Sequence, residues 1–278
     1  MRVGFIGLGS QGGPMARRII DAGFTTTLWA RRTATLEPYA DTAARTARSP
    51  AELAAVSDLV CVCVVGDADV REVVTGDEGV LATMAPGTVL SIHSTVHPRT
   101  CRELADIAAP LGISILDAPV SGGGPAAADG RLLVMVGGAD EAVEAARPVF
   151  ATYADPIVHL GGVGAGQFAK LLNNLLFTAN LATAQGTLRL GAELGVDPGR
   201  LGEVITHGTA DSFALGRVVA AGGTLDALAT RAGDLLCKDV GLLADLAAAA
   251  GASPGIELGA ADAALTLMNR ERATLPSR

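Results

Sequence analysis

Arg2-Val3-Gly4-Phe5-Ile6-Gly7-Leu8-Gly9-Ser10-Gln11-Gly12-Gly13-Pro14-Met15-Ala16 is the stretch whose reading decides the fold. Arg2 to Ile6 has the composition of a short strand, and a helical apolar pattern runs from Pro14 to Ala22. Between them, Gly7, Gly9 and Gly12 form a GxGxxG turn. In that position the first glycine lets the chain turn, the second lets backbone approach a pyrophosphate, and the third lets helix pack closely on strand. The unpaired N–H groups at the start of the helix then face the phosphates. A glycine-rich turn before a helix also occurs without a ligand, but the strand and helix on either side favour a dinucleotide site.

Outward from this turn, a second strand, Thr25 to Trp29, ends about twenty residues after the glycines, where an NAD site usually has Asp or Glu. Here the residues are Ala30, Arg31 and Arg32. Two guanidinium groups without an adjoining carboxylate suit a 2′-phosphate, so NADP(H) is the expected cofactor, with NAD(H) possible. The competing explanation is two solvated surface arginines.

Ser49, Pro50 and Glu52 have the spacing of a capping box and predict a helix to about Val56. Asp58 to Val65 is a continuous apolar run, as in a central parallel strand covered on both faces. Further strands are expected near Thr88 to Ile92, Ile113 to Leu116, Leu132 to Val136 and Ile157 to His159, with helices between. This alternation predicts a doubly wound α/β domain over residues 1–162. From residue 163 strand signals stop, and residues 163–278 are expected to form an all-helical domain. It begins with a long helix over about 166–195, apolar around most of its circumference, as in a buried helix. Asp197-Pro198 and Ser253-Pro254 each resemble an N-cap followed by a first-turn proline.

The formal net charge of −8 and pI near 5.0 lack the basic footprint of a nucleic-acid binder. No segment reaches the roughly 18 strongly apolar residues of a membrane span. Cys61, Cys63, Cys101 and Cys237 have neither zinc nor disulfide spacing, so a reducing cytoplasm is the expected setting. Cys61 and Cys63, two apart in an apolar run, are expected to face the same side of a strand as small core residues.

Lys170 and Lys238 are the only lysines, against nineteen arginines. An amine retained in the otherwise apolar segment Gly164 to Asn174 suggests a proton carrier, because burial can lower a lysine pKa whereas arginine stays protonated. Lys170 and Asn174, four apart on one helix, share a face; snorkelling from a helix end is the alternative for the lysine. Ser121, Gly122, Gly123 and Gly124 follow an apolar strand and offer a hydroxyl with successive N–H groups, suited to a carboxylate. They could also be only a tight loop. Thr95, in His93 to Pro98, offers a hydroxyl at another strand end. His93 and His97 have no adjoining acid, so no metal is expected there.

Gly7 to Ala16, His93 to Pro98, Asp117 to Leu132, Gly164 to Asn174 and Lys238-Asp239 together resemble the β-hydroxyacid dehydrogenase family, the group of 3-hydroxyisobutyrate dehydrogenase and tartronate semialdehyde reductase. The resemblance implies a Rossmann-type nucleotide domain, a helical second domain, dimers or tetramers, and interconversion of a small 3-hydroxy acid and its semialdehyde. It implies Lys170 as catalytic acid/base, with Asn174 helping to hold the reacting oxygen. Ser121, Gly122 and Gly123 would bind the substrate carboxylate, with Thr95 beside them. Gly7, Leu8, Gly9, Ser10, Gln11, Gly12, Arg31, Arg32, Val64, Val65, Thr95 and Lys238 would hold the cofactor. Gln11, Ile92 and Val65 depart from the residues the family often has, which bears on substrate rather than chemistry. An imine reductase shares the fold but generally has another residue at position 170. A non-catalytic NADP-binding scaffold or sensor would show a broken catalytic set, whereas Lys170, Asn174 and Ser121 are all present.

Overall fold

In the computed structural model residues 1–273 are described, and the chain divides into two compact units, Met1–Lys170 and a second that begins at Leu171. The first unit opens with β1 (Arg2–Ile6), α1 (Gly12–Asp21) and β2 (Thr25–Trp29), followed by β3 (Arg45–Thr46), α2 (Pro50–Ala54) and β4 (Leu59–Val62). It continues through α3 (Asp67–Thr75), β5 (Val89–Ile92), α4 (Pro98–Ala108) and β6 (Ser114–Asp117). These six strands are all parallel, in the order β3-β2-β1-β4-β5-β6. The order reverses beside β1, the switch point at which such sheets place ligands.

Alternation along each strand supplies two cores. Val3, Phe5, Leu59 and Cys61 pack with Met15, Ala16 and Ile19 of α1 on one face. Ile6, Val60, Val62, Leu90 and Ile92 pack with Leu53, Val70, Val73 and Leu104 on the other. Because both faces are covered, β4 is apolar at every position, and the one polar residue of β5, Ser91, is itself fully buried. Cys63 packs against the same core as Cys61, as expected for residues two apart in an extended chain.

Beyond β6 the topology departs from simple alternation. After β7 (Val120–Ser121), α5 (Gly123–Ala128), β8 (Leu132–Val136), α6 (Asp140–Phe150) and β9 (Ala154–His159), the new strands form a separate sheet, β7-β8-β9. The strands at Leu132 and Ile157 therefore do not extend the main sheet. Only Ala118-Pro119 separates β6 from β7, too short for the dozen-residue crossover that a parallel neighbour requires, and β7 pairs antiparallel with β8 instead.

Helix α7 (Ala165–Glu193) leads into the second unit, which continues with α8 (Pro198–Thr206), α9 (Phe213–Ala220), α10 (Asp226–Ala249) and α11 (Ile256–Leu267). Its core joins Leu171, Leu175, Leu181 and Leu188 to Val218, Leu236, Val240 and Leu265. The long helix is not buried all round: Leu172, Leu176 and Leu190 are each more than half exposed. Asp197 caps α8, its Oδ1 accepting the Arg200 N–H at 2.9 Å. Ser253 does not cap α11. That helix starts at Ile256, and the Glu257 carboxylate turns back to accept the Gly255 N–H at 2.8 Å.

Candidate active site

The glycine turn divides its work among three positions. Gly7 has φ +98°, and a Cβ there would sit 2.2 Å from the Cys63 carbonyl oxygen, so both backbone and space require glycine. A Cβ on Gly12 would sit 2.0 Å from the Gly7 carbonyl oxygen. A Cβ on Gly9, in contrast, would meet nothing within 4 Å, so this glycine is not required by internal packing. Helix α1 has no acid in its first turn and no side-chain cap, and the buried Gln11 Nε2 has no hydrogen-bond partner. Open backbone beside a helix start and an orphaned donor fit the phosphates of a dinucleotide. Leu8 is half-buried and Ser10 exposed along the same turn.

At the end of β2, Arg31 and Arg32 are both exposed. Arg31 does meet carboxylates, which come from another element: its Nη2 lies 2.8 Å from Asp69 Oδ1 and 2.9 Å from Glu72 Oε2 on α3. The expectation of an arginine pair clear of carboxylates therefore holds only along the chain. Beyond β4, the Val64 N–H donates to Ser94 Oγ at 2.9 Å, and Val65 is 72% exposed.

The segment after β5 is tied to the start of α7. Gln167, fully buried, accepts the Val96 N–H at 3.0 Å and donates its amide to the Ser94 carbonyl at 2.9 Å. These two bonds bracket Thr95. Asp117, at the end of β6, accepts the Gly164 N–H at 2.6 Å and the Gln167 N–H at 2.8 Å. One carboxylate thus satisfies two donors at the entrance to a helix. Burial pushes the Asp117 carboxyl up to about 6, against the lowering effect of those N–H groups. Lys170 follows one turn after Gln167 and is half-buried.

Ser121 ends β7, and Gly122 and Gly123 adopt φ of +128° and +77°. A Cβ on Gly124 would sit 2.5 Å from the Ser10 carbonyl oxygen, so this second glycine segment packs directly against the first. In the second unit, Asn174 donates to Asp239 Oδ2 at 2.6 Å. Lys238 Nζ lies 3.2 Å from Asp239 Oδ1, an ion-pair contact rather than an aligned hydrogen bond. The buried Asp239 therefore engages both residues singled out for that unit.

His93 is fully occupied in the core: Nδ1 lies 2.7 Å from the Ala118 carbonyl oxygen and Nε2 3.3 Å from the Tyr153 hydroxyl. Desolvation pulls its pKa down to about 4, so it is neutral at ordinary pH. His97 caps α4, Nδ1 accepting the Arg99 N–H at 2.9 Å. Among the described residues no group of three or more His, Cys, Asp or Glu is arranged to hold a metal ion. No described helix is long and apolar enough to cross a membrane.

Asp117, Gln167 and Asp239 were not singled out in the sequence, although each lies in a motif quoted there. A lone acid closing an apolar strand and a lone amide opening an apolar helix were the available signals. Their partners, 47 to 73 residues away, were not.

Residues 2–161 match the family described as the NAD binding domain of 6-phosphogluconate dehydrogenase. Residues 164–273 match the one described as NAD-binding of NADP-dependent 3-hydroxyisobutyrate dehydrogenase. The chain is 33% identical to a probable mitochondrial 3-hydroxyisobutyrate dehydrogenase of Dictyostelium discoideum, over 90% of this chain and 80% of that one. It is similar to a solved 3-hydroxyisobutyrate dehydrogenase of Mycobacterium tuberculosis with L-serine, at TM-score 0.84 and 31% identity, covering 98% and 95% of the two chains. A structure of Psf3 in complex with NADP+ and 2-OPP is similar at TM-score 0.81 and 26% identity, covering 98% and 96%.

Proposed function

The chain belongs to the β-hydroxyacid dehydrogenase family, and from that premise we propose that it transfers hydride between NADP(H) and a small 3-hydroxy acid or its semialdehyde, with Lys170 as acid/base. The observation that carries the proposal is the Asp117–Gln167 lock, which ties the segment holding Thr95 to the start of the helix holding Lys170. When bound, the nicotinamide supplies or accepts hydride. Around it, Gly7 to Gly12 and the start of α1 hold the phosphates, while Val64, Val65, Thr95 and Lys238 bind the remainder of the cofactor. Ser121, Gly122 and Gly123 orient the substrate carboxylate through a hydroxyl and backbone N–H groups.

In reduction, the Lys170 ammonium gives a proton to the oxygen on which negative charge develops. In oxidation, the neutral amine takes the hydroxyl proton. Asn174, one turn further along α7, helps hold that oxygen. Such proton transfer typically contributes about 10²- to 10⁴-fold. Lys170→Ala is therefore expected to lower kcat by that order while NADPH still binds, measured by steady-state kinetics beside a fluorescence titration; near-normal turnover overturns the assignment.

NADP preference is supported by Arg31 and Arg32 at the ribose-recognition position. A homo-oligomer is part of the same proposal, supported by the exposed Leu172, Leu176 and Leu190 on the long helix. A reducing cytoplasm is supported by four cysteines that are all free thiols. A spectrophotometric screen of short 3-hydroxy acids and semialdehydes with both cofactors tests the reaction class. Absence of turnover throughout that series counts against it.

A further inference from the structure

Arg31 follows β2, whereas Asp69 and Glu72 belong to the helix that follows β4. In the sheet these two strands are not neighbours, because β1 lies between them. The contacts at 2.8 and 2.9 Å therefore cross the carboxyl end of β1, where the chain turns into Gly7 to Gly12. The bridge spans two inter-strand spacings, roughly 9–10 Å.

We propose that Asp69 and Glu72 set the cofactor preference by competing with the 2′-phosphate of NADP(H) for the Arg31 guanidinium. The proposal rests on the cofactor role given to Arg31 above. Both carboxylates use the same terminal nitrogen, Nη2. A phosphate is held best by the full guanidinium fork, with parallel N–H donors from one face. A guanidinium turned toward α3 cannot offer that fork, so NADPH binding requires the bridge to open. NADH carries only a ribose hydroxyl at this position and makes no such demand. The side chains of Arg31, Glu72 and Asp69 are 59%, 68% and 29% exposed, so the bridge is screened and exchangeable rather than a permanent lock. It weakens NADPH binding without preventing it.

Fluorescence titration of NADPH and NADH against Asp69→Asn, Glu72→Gln and the double variant, in both the native and Arg31→Ala backgrounds, tests this. For two exposed ion pairs, the double variant is expected to tighten NADPH by about 3- to 10-fold and to change NADH by less than about 2-fold. In the Arg31→Ala background that gain disappears. Unchanged or weaker NADPH binding, or equal tightening of both cofactors, overturns the proposal. A gain that persists without Arg31 also overturns it, because it points to direct repulsion instead of competition. Arg31→Ala alone separates the two layers. If it weakens NADPH and NADH equally, the phosphate role of Arg31 fails, and the competition falls with it; if NADPH suffers more, only the competition is at stake. All three positions are surface residues, and unchanged melting temperatures establish that the variants are folded.

Discussion

Asp117 combines burial with two backbone donors, and its position explains a tight set of constraints. Asp117→Asn keeps the size but turns an N–H donor toward a backbone N–H, at a cost expected to be about 1–3 kcal/mol near neutral pH. The pH dependence has a definite sign. The native carboxyl titrates near 6, above its ordinary value of 3.8, so its stabilising contribution is fully present below about 3.8 and is lost as pH rises through 6. His93 acts in the opposite sense. With a native pKa near 4 against 6.5, its contribution is present above 6.5 and is lost as pH falls toward 4. Between roughly pH 4 and 6 the two oppose each other. Removing the Asp117 titration leaves the His93 loss uncompensated, so the stability deficit of Asp117→Asn should be larger at pH 4.5 than at pH 7. Paired urea denaturation curves at the two pH values measure it, and a deficit independent of pH contradicts the assignment.

At the scale of the element, the β1–turn–α1 unit separates glycines that packing requires, Gly7 and Gly12, from one that it does not, Gly9. Gly12→Ala places a methyl against the Gly7 carbonyl, and overpacking of this kind costs about 1–3 kcal/mol. Gly9→Ala adds a methyl into open space, so its melting temperature should stay near that of the parent while NADPH affinity falls. Calorimetry with a cofactor titration distinguishes the pair; equal losses of stability in both variants contradict this division. The glycine pattern was legible in the sequence because a positive φ or a close approach demands that residue type locally. Strands β1, β2 and β8 were legible with their bounds for a similar reason, a short period-2 or apolar run. The two-residue strands β3 and β7 were not, since two residues carry no period. Ser253-Pro254 misled because a capping pair is common in turns, and Glu257 supplies a competing partner for Gly255.

Across the whole molecule, each unit has a core of its own, and the glycine turn, Arg31 and Arg32 lie in Met1–Lys170. A ligand that binds only the folded state stabilises it by mass action, about 2.7 kcal/mol at one hundred times its Kd. Saturating NADPH should therefore raise the melting temperature, with a smaller rise in Arg31→Ala; no rise with either cofactor argues against the cofactor site. The sequence by itself determined the parallel sheet, its central apolar strands, the dinucleotide turn and the helical second half. These depend on backbone demands and periodicities contained within a few residues. Tertiary structure alone decided that β8 and β9 leave the main sheet, and that Gln167 brackets Thr95. It also decided that Asp117 anchors the start of α7 and that Arg31 faces α3. Those partners lie 38 to 73 residues apart in the chain, and strand order, not local sequence, brings them together.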